Sequence, residues 1–447
     1  MKTWTGSTNW RWKRDFVLLL FTGLMVLLFY SLTTEKNRTK RILVLKLQEK
    51  PVLSPVAISE ESITPLKNTK HYLVSAFMDQ RVKGFDIRII GIFKRDSIHP
   101  LYCSFCCGGG CNKTSPANIL PHSDNFGFPY TATDILCQIP KNCDPSYVTV
   151  LTQPSSNVSD HVFIPIRNKN EEMRFNFTVC ISSLFGDYNN VLQFAQTLEM
   201  YKLLGVNRVV IYNTSCGPEL ERLLQSYSQE GFVEIVPWPI DRYLKLTRGW
   251  RFSEHGGDLQ YFGQIVTLNE CVYRSMERSR YVLLNDIDEI IMPYKHDNLV
   301  SLMNTLEPQN SNVGEFLIEN HIFPKKHFEP SRRFHLPQWE KVPGINILEH
   351  TYREDPQRGV YHPHKMIVKP KLIEQTSVHE VLRKFGEGYK VPLEVCRIIH
   401  VRVALRGYLK LEELNEDKRL WDFQDTLIPN VDKALKRAGL LPAEEQN

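Results

Sequence analysis

Short runs of β-branched and aromatic residues, separated by turn residues, dominate positions 70–170. Residues 71–77, 85–93, 147–151 and 161–166 are predicted strands, because apolar runs of this length bounded by turn residues suit strands better than helices. They predict a small β-sandwich. From residue 175 the pattern alternates between strand and helix. Strands are predicted at 175–182, 208–212, 232–236 and 280–286. One intervening helix is capped by Asp187 and carries Val191, Ala195 and Leu198 near a helical period. A second covers 218–228, and a longer one covers 259–278 with Phe262, Ile265, Val266, Asn269, Val272 and Met276 along one side. Repeated β-α units predict a mostly parallel sheet.

The first seventy positions differ. Residues 16–32 form an uncharged apolar run, at the short end of what spans a bilayer, behind a tail carrying Lys2, Arg11, Lys13 and Arg14. No small-residue cleavage site follows it, which favours an uncleaved signal-anchor over a removed signal peptide. Basic residues on both flanks leave the orientation open. Asn112, Asn157, Asn176 and Asn213 each begin an Asn-x-Ser/Thr acceptor, and all ten cysteines follow the apolar run. Both features point to a body in an oxidising lumen. Asn37 also begins an acceptor, but close to the membrane. Polar residues broken by Pro51, Pro55 and Pro65 predict a stem. The expected organisation is a cytoplasmic tail (1–15), a transmembrane helix (16–33), a stem (34–69), a β-rich accessory domain (70–172) and an α/β domain (173–447).

Cys103, Cys106, Cys107 and Cys111, with Cys137 and Cys143, lack the paired spacing of zinc ribbons and are expected to form structural disulfides of undetermined pairing. A net charge of +5 over 447 residues is too mild for a nucleic-acid partner.

The strongest chemical signal is Asp286-Ile287-Asp288-Glu289 at the end of the apolar run 281–284. A lone Asp-x-Asp is weak, but ligands of open α/β sheets bind beyond the carboxyl ends of the strands. Two carboxylates there suit a hard cation that in turn holds a diphosphate, and manganese and magnesium both fit such oxygens. No glycine-rich phosphate loop is present in either β-α turn. The bland alternative is a solvated acidic turn.

An ordered series of motifs resembles glycosyltransferase family 92 over residues 70–420. It runs through Val179-Cys180-Ile181-Ser182-Ser183-Leu184-Phe185, Tyr201-Lys202-Leu203-Leu204-Gly205-Val206, Gly263-Gln264, Asn269-Glu270-Cys271 and Asp286-Ile287-Asp288-Glu289. It continues through Lys365-Met366-Ile367-Val368-Lys369-Pro370, Val378-His379 and His400-Val401-Arg402, where family members often have tyrosine in place of Val401. The resemblance implies a GT-A (Rossmann-like) catalytic domain, Golgi residence, inversion, and UDP-galactose as donor with Mn2+ or Mg2+. It also implies a carbohydrate-binding-like β domain and β-1,4 transfer to fucose or β-galactoside acceptors. Asp286 and Asp288, with His379 or His400, are the expected metal ligands. Ser182, Asn213, Gln264, Asp286 and Lys365 are expected at the donor. Inversion needs one general base, for which Glu319 leads Asp355, Glu254 and Asp258; Trp250 and Trp339 are candidates for sugar stacking.

The expected fold class is therefore α/β, a GT-A domain with an N-terminal all-β accessory domain behind one transmembrane helix. Expected partners are a UDP-sugar, a glycan acceptor on glycoprotein or glycolipid, the membrane, and a second copy paired through span or stem. The competing classes are a membrane-anchored lectin with an inactive transferase domain and a glycosidase, the latter disfavoured because no second carboxylate partner is evident.

Overall fold

The computed structural model describes residues 56–108, 110–154, 157–356 and 363–442. The expected tail, transmembrane helix and most of the stem lie outside them. By contact the chain divides into two units. Met1–Pro55 with Gly108–Gly110 falls outside the described residues except for two glycines; Val56–Cys107 with Cys111–Asn447 carries the features below.

The N-terminal sheet has nine strands: β1 (Ala57–Ile58), β2 (Thr64–Pro65), β3 (Tyr72–Met78), β4 (Ile87–Lys94), β5 (Tyr102–Cys107), β6 (Gly110–Pro121), β7 (Tyr130–Cys137), β8 (Tyr147–Leu151) and β9 (Val162–Arg167). Their order is β1-β9-β8-β5-β6-β7-β4-β3-β2. The parallel pairing of β9 with β3, Ala76 opposite Ile166, closes this path into a barrel. The sandwich expectation is thereby corrected: closure removes the free edges that two stacked sheets would leave. Ile89, Phe105, Ile135 and Val148 fill its interior. Three disulfides, Cys103–Cys137, Cys106–Cys111 and Cys107–Cys143, staple it.

The C-terminal half starts as the hydrophobic pattern predicts. Strands β10 (Phe175–Leu184), β11 (Arg208–Asn213), β12 (Val233–Pro237) and β13 (Ser279–Leu284) pair in parallel, in the order β12-β11-β10-β13. Helices α1 (Val191–Leu203) and α2 (Pro218–Gln229) connect the first three, and the short α3 (Phe252–His255) precedes α4 (Gln264–Ser275). Then the alternation stops. Strands β14 (Glu289–Pro293) and β15 (Val313–Pro324) flank α5 (Leu299–Gln309), but the later strands are joined without α-helices. These are β16 (Tyr352–Arg353), β17 (His364–Val368), β18 (Ile373–Thr376), β19 (Val381–Lys384), β20 (Glu387–Lys390), β21 (Cys396–Arg402) and β22 (Asn415–Glu416). Helix α6 (Gln424–Arg437) ends the described chain.

The second sheet therefore runs β12-β11-β10-β13-β17-β15-β21-β14, and the pairings β13–β17, β15–β17 and β14–β21 are antiparallel. This corrects the expected fold class. With two nine-stranded sheets and six α-helices among the described residues, the fold is mostly β and not the expected Rossmann-like GT-A α/β domain; the transmembrane helix expected before it lies outside the described residues. The β-α alternation of residues 175–284 was extended in the expectation to a half of the chain that lacks helical crossovers. Among the described residues no helix is long and apolar enough to cross a membrane.

A tight, partly left-handed turn at Gln260–Gly263 replaces the first turn of the single helix expected over 259–278, and the helix proper is α4. Before it, Tyr261 (φ 40°), Phe262 (φ 55°) and Gly263 (φ 76°) are all left-handed, so the chain unwinds at Gln260–Gly263. Such conformations cost non-glycine residues on the order of 1–3 kcal/mol each and persist only where the surroundings hold them. Here Trp238 Nε1 and Ser183 Oγ both donate to the Phe262 carbonyl, at 2.9 and 3.2 Å.

The rest of α4 is buried on every side, between the second sheet and the barrel. That explains the motif Asn269-Glu270-Cys271, whose members are fasteners. Asn269 makes two hydrogen bonds to the Thr376 backbone, at 2.7 and 2.9 Å. Glu270 accepts from Ser75 of the barrel at 2.8 Å and from Arg274 at 2.7 Å. Cys271 is disulfide-bonded to Cys180 of β10, closing a separation of 91 residues. Replacing Cys180 and Cys271 together by alanine is expected to cost about 2–4 kcal/mol. Chemical denaturation of the double variant checks this; an unchanged midpoint would show that packing alone holds α4.

Candidate active site

A cleft of about 510 Å³ opens where the end of β10, the turn after β13 and the end of β21 converge. Ser182, Asp286, Asp288 and His400 line it, together with Arg248, Tyr261 and other residues. The turn bearing the aspartates is tied down from behind. Tyr201 Oη and Asn285 Nδ2 both donate to the Glu289 carbonyl, at 2.8 and 3.0 Å, and the Asp286 N–H donates to Glu289 Oε2 at 2.9 Å.

The two aspartates are not equivalent. Asp286 is engaged on both oxygens: Gln264 Nε2 donates to Oδ1 at 3.2 Å and Lys365 Nζ to Oδ2 at 2.9 Å. Gln264 also donates to Ser182 Oγ at 3.1 Å, so three expected donor residues form one chain of contacts. Lys365 is buried and also lies 3.4 Å from Glu289 Oε2. Burial opposes its charge, and Asp286 and Glu289 outweigh burial, so it stays protonated. Burial raises the Glu289 carboxyl, with Lys365 opposing.

Asp288 faces the other way. Its Oδ2 lies 3.1 Å from Nε2 of the buried His400. Burial would raise the Asp288 carboxyl, but His400 outweighs it and holds it low. Burial likewise opposes charge on His400, and Asp288 and Glu289 lift its pKa above the usual imidazole value. The other ring nitrogen, Nδ1, lies 3.3 Å from Glu289 Oε1 and 3.0 Å from Asn320 Nδ2.

Among the described residues no group of three or more His, Cys, Asp or Glu side chains is placed to hold a metal ion alone. The pair Asp288 and His400 nevertheless fits one. Adjacent ligands of an octahedral ion with bonds of about 2.1 Å lie about 3 Å apart, and magnesium-like ions take one or two carboxylates with substrate phosphates and water completing the shell. The Glu289 carboxylate behind His400 is the partner that metal-bound imidazoles commonly have. On binding a divalent cation the pair would release its shared proton.

The remaining sequence candidates fall elsewhere. His379 is outside the lining; its Nδ1 lies 3.0 Å from the His364 carbonyl, and burial, then Lys365, push its pKa down to about 4. Asn213 ends β11 and donates to Cys216 and Glu221. Its side chain is therefore engaged, unlike the exposed acceptors Asn112, Asn157 and Asn176. Glu319 pairs with His321 at 3.3 Å and Lys390 at 3.1 Å, which hold its carboxyl at about 2. Asp355 is exposed and paired with Arg353. Glu254 and Asp258 flank the exposed end of α3, and Trp339 is buried and donates to Asp432 at 2.6 Å.

Sequence reasoning missed the cationic wall. Arg248, Lys325 and Arg402 line the cleft, and among the described residues none is in a salt bridge, although Arg402 is near enough to help hold the Asp288 carboxyl low. Arg248 packs over Gly186 (φ 65°), where a Cβ would come within 2.4 Å of its Nη2. Arg402 closes the motif His400-Val401-Arg402 but was given no role there, and no motif marked Arg248 or Lys325, because a lone cation outside a periodic segment carries no local signal.

Residues 175–437, more than half of the chain, match the family model of glycosyltransferase family 92. The chain belongs to glycosyltransferase family 92. Among curated relatives, this family 92 chain is 20% identical over 246 residues to the Caenorhabditis elegans beta-1,4-galactosyltransferase galt-1, covering 53% of the chain and 54% of that relative. It is 26% identical over 203 residues to a glycosyltransferase family 92 protein of the same organism, covering 45% and 37%. The chain thus spans less than two thirds of either relative's length. Among solved structures, a Pyrobaculum calidifontis mannosyltransferase in complex with GDP-Man and Mn2+ gives a TM-score of 0.28 at 11% identity, covering 62% of this chain and 79% of that one. Glucosyl-3-phosphoglycerate synthase from Mycobacterium tuberculosis gives 0.26 at 11% identity, covering 60% and 82%. At such scores neither likeness bears on the site.

Proposed function

We propose that this family 92 chain is a metal-assisted, inverting galactosyltransferase that transfers galactose from UDP-galactose to a glycan acceptor. The observation that carries the reading is the Asp288–His400 pair, 3.1 Å apart, in a cleft whose Arg248, Lys325 and Arg402 are in no salt bridge among the described residues. Cations not committed to salt bridges around a carboxylate–imidazole pair suit a diphosphate and its ion. UDP-galactose is favoured over other donors by the name of the galt-1 relative and by the motif series.

In this reading Arg248, Lys325 and Arg402 bind the diphosphate and stabilise the charge that grows as it leaves. Lys365 holds Asp286 in place and keeps the turn from repelling the donor. A divalent cation bound at Asp288 and His400 would supply Lewis-acid polarisation of the diphosphate. The acceptor hydroxyl must lose a proton to one base. Glu319, outside the lining and held at about 2, is a poor one in this conformation. Residues 16–33 would anchor the protein as a type II Golgi membrane protein with its catalytic body in the lumen.

The test is donor turnover by the full-length protein in detergent, with single UDP-sugars, Mn2+ and a panel of galactose- and fucose-terminated glycosides. Galactose transfer that requires both metal and acceptor is expected. Glycan binding without turnover of any donor would make the chain a membrane-anchored lectin.

A further inference from the structure

The segment between residue 248 and the tight turn at Gln260–Gly263 carries two exposed aromatic side chains. Trp250 is 37% exposed and Phe252 41%. Trp250 is not loose. Its ring stacks in offset fashion on Tyr261 at 5.3 Å and 26° and on the His379 ring at 6.0 Å and 24°, and meets Phe126 edge-to-face at 5.6 Å and 85°. Tyr261 itself lines the cleft and meets Phe185, another lining residue, edge-on at 5.2 Å. The aromatic row is therefore continuous with the wall of the site.

Two further features single it out. First, Tyr261, which lines the cleft, begins the left-handed run of Tyr261, Phe262 and Gly263. Strain of this kind in two successive aromatic residues points toward function. Second, the barrel holds the segment in place. Phe252 N–H donates to the Phe126 carbonyl at 3.2 Å, Tyr130 N–H to the Asp258 carbonyl at 3.0 Å, and Phe128 meets Phe252 edge-on at 5.8 Å. Ser377 Oγ donates to Asp124, two positions before His379, whose ring borders the same tryptophan. Loop 122–128 of the barrel thus braces one rim of the cleft.

We propose that Trp250 and Tyr261 form the acceptor subsite, taking the apolar face of a pyranoside against their rings, and that Phe126 of the barrel is a positioning residue for it. The proposal rests on the galactosyltransferase reading for its substrate class. A pyranose has a face of C–H groups that packs on an aromatic surface while its hydroxyls stay in water, and a rigid, half-exposed tryptophan offers such a surface at little cost in side-chain freedom. It also gives the accessory barrel a part in transfer, since without loop 122–128 the tryptophan would lose one of its three aromatic neighbours.

Two measurements on the full-length protein test it. In transfer assays with the best glycoside of the panel, Trp250→Ala is expected to raise the acceptor KM about tenfold while the donor KM moves less than about twofold. Trp250→Tyr is expected to restore most of the loss, and Phe126→Ala to raise the acceptor KM about threefold. Saturation-transfer NMR with methyl β-D-galactopyranoside reads the subsite without turnover: signal on the native protein, lost in Trp250→Ala and kept in Trp250→Tyr, supports it even if no donor is consumed. No signal on the native protein, or an acceptor KM unchanged in Trp250→Ala, overturns it. So does a parallel fall in donor and acceptor binding, which would make Trp250 a structural residue.

Discussion

Asp288→Ala is expected to lower galactose transfer about a thousandfold, the several kcal/mol that a Lewis acid contributes to a departing diphosphate. Asp288 is the carboxylate that faces His400, and its side chain is about a third exposed (31%), so its loss leaves no buried charge without a partner once His400 is neutral. The fold should therefore survive, with stability within about 1 kcal/mol of the native protein. Chelation of the native protein should produce the same loss, and added Mn2+ should restore the native protein but not the variant. Product formation measured across a manganese titration checks all three outcomes. Transfer by the variant within tenfold of the native rate would remove Asp288 from the metal site, and with it the asymmetry between the two aspartates.

Arg88→Met is expected to be the most damaging single change to stability, at about 5 kcal/mol. Arg88 is fully buried and binds three carboxylates: Asp79 at 3.0 Å, Asp134 at 2.6 Å and Glu374 at 2.9 Å. The first two belong to the barrel and Glu374 to β18, so one guanidinium joins the two halves of the compact unit. Methionine matches much of the arginine stem but leaves those carboxylates with too little positive charge. The loss is a large share of the stability a domain possesses, and the yield of folded protein should collapse with it. A denaturation midpoint within 1 kcal/mol of native would show that Arg81, which also binds Asp79 at 2.7 Å, is enough by itself.

The same cluster sets the response to acid. Burial alone would raise Asp79 and Asp134, but Arg81 and Arg88 at the first, and His122 and Arg88 at the second, hold both below the usual range. Glu270, against Arg274, is held at about 2. A carboxyl depressed in the folded state contributes stability above its unfolded value near pH 4 and loses it as the pH falls through the folded value. Unfolding is thus expected below about pH 4, and Arg88→Met should move that transition upward by releasing two of the three carboxyls.

How far the sequence reaches can be judged from particular residues. Asp286 and Asp288 were legible because a buried strand followed by two acidic residues is a local pattern, and local patterns survive without tertiary information. The strands and helices of residues 175–284 were legible for the same reason. The barrel was read as a sandwich because closure depends on Ala76 meeting Ile166, ninety positions apart, and no periodicity records such a meeting. The long helix over 259–278 was overextended because apolar spacing continues through Tyr261 and Phe262 while the backbone does not.

The site divides along the same line. The chain by itself determined its family, the strand that delivers the acidic pair, and disulfides in place of zinc, since each rests on residue types at short spacing. Only the tertiary structure decided that Lys365 neutralises Asp286 while His400 faces Asp288, that Arg248 and Arg402 stand on the cleft in no salt bridge, and that the barrel braces Trp250. Those facts come from segments brought together across the whole chain, and charges act through space, where sequence distance has no bearing on their strength.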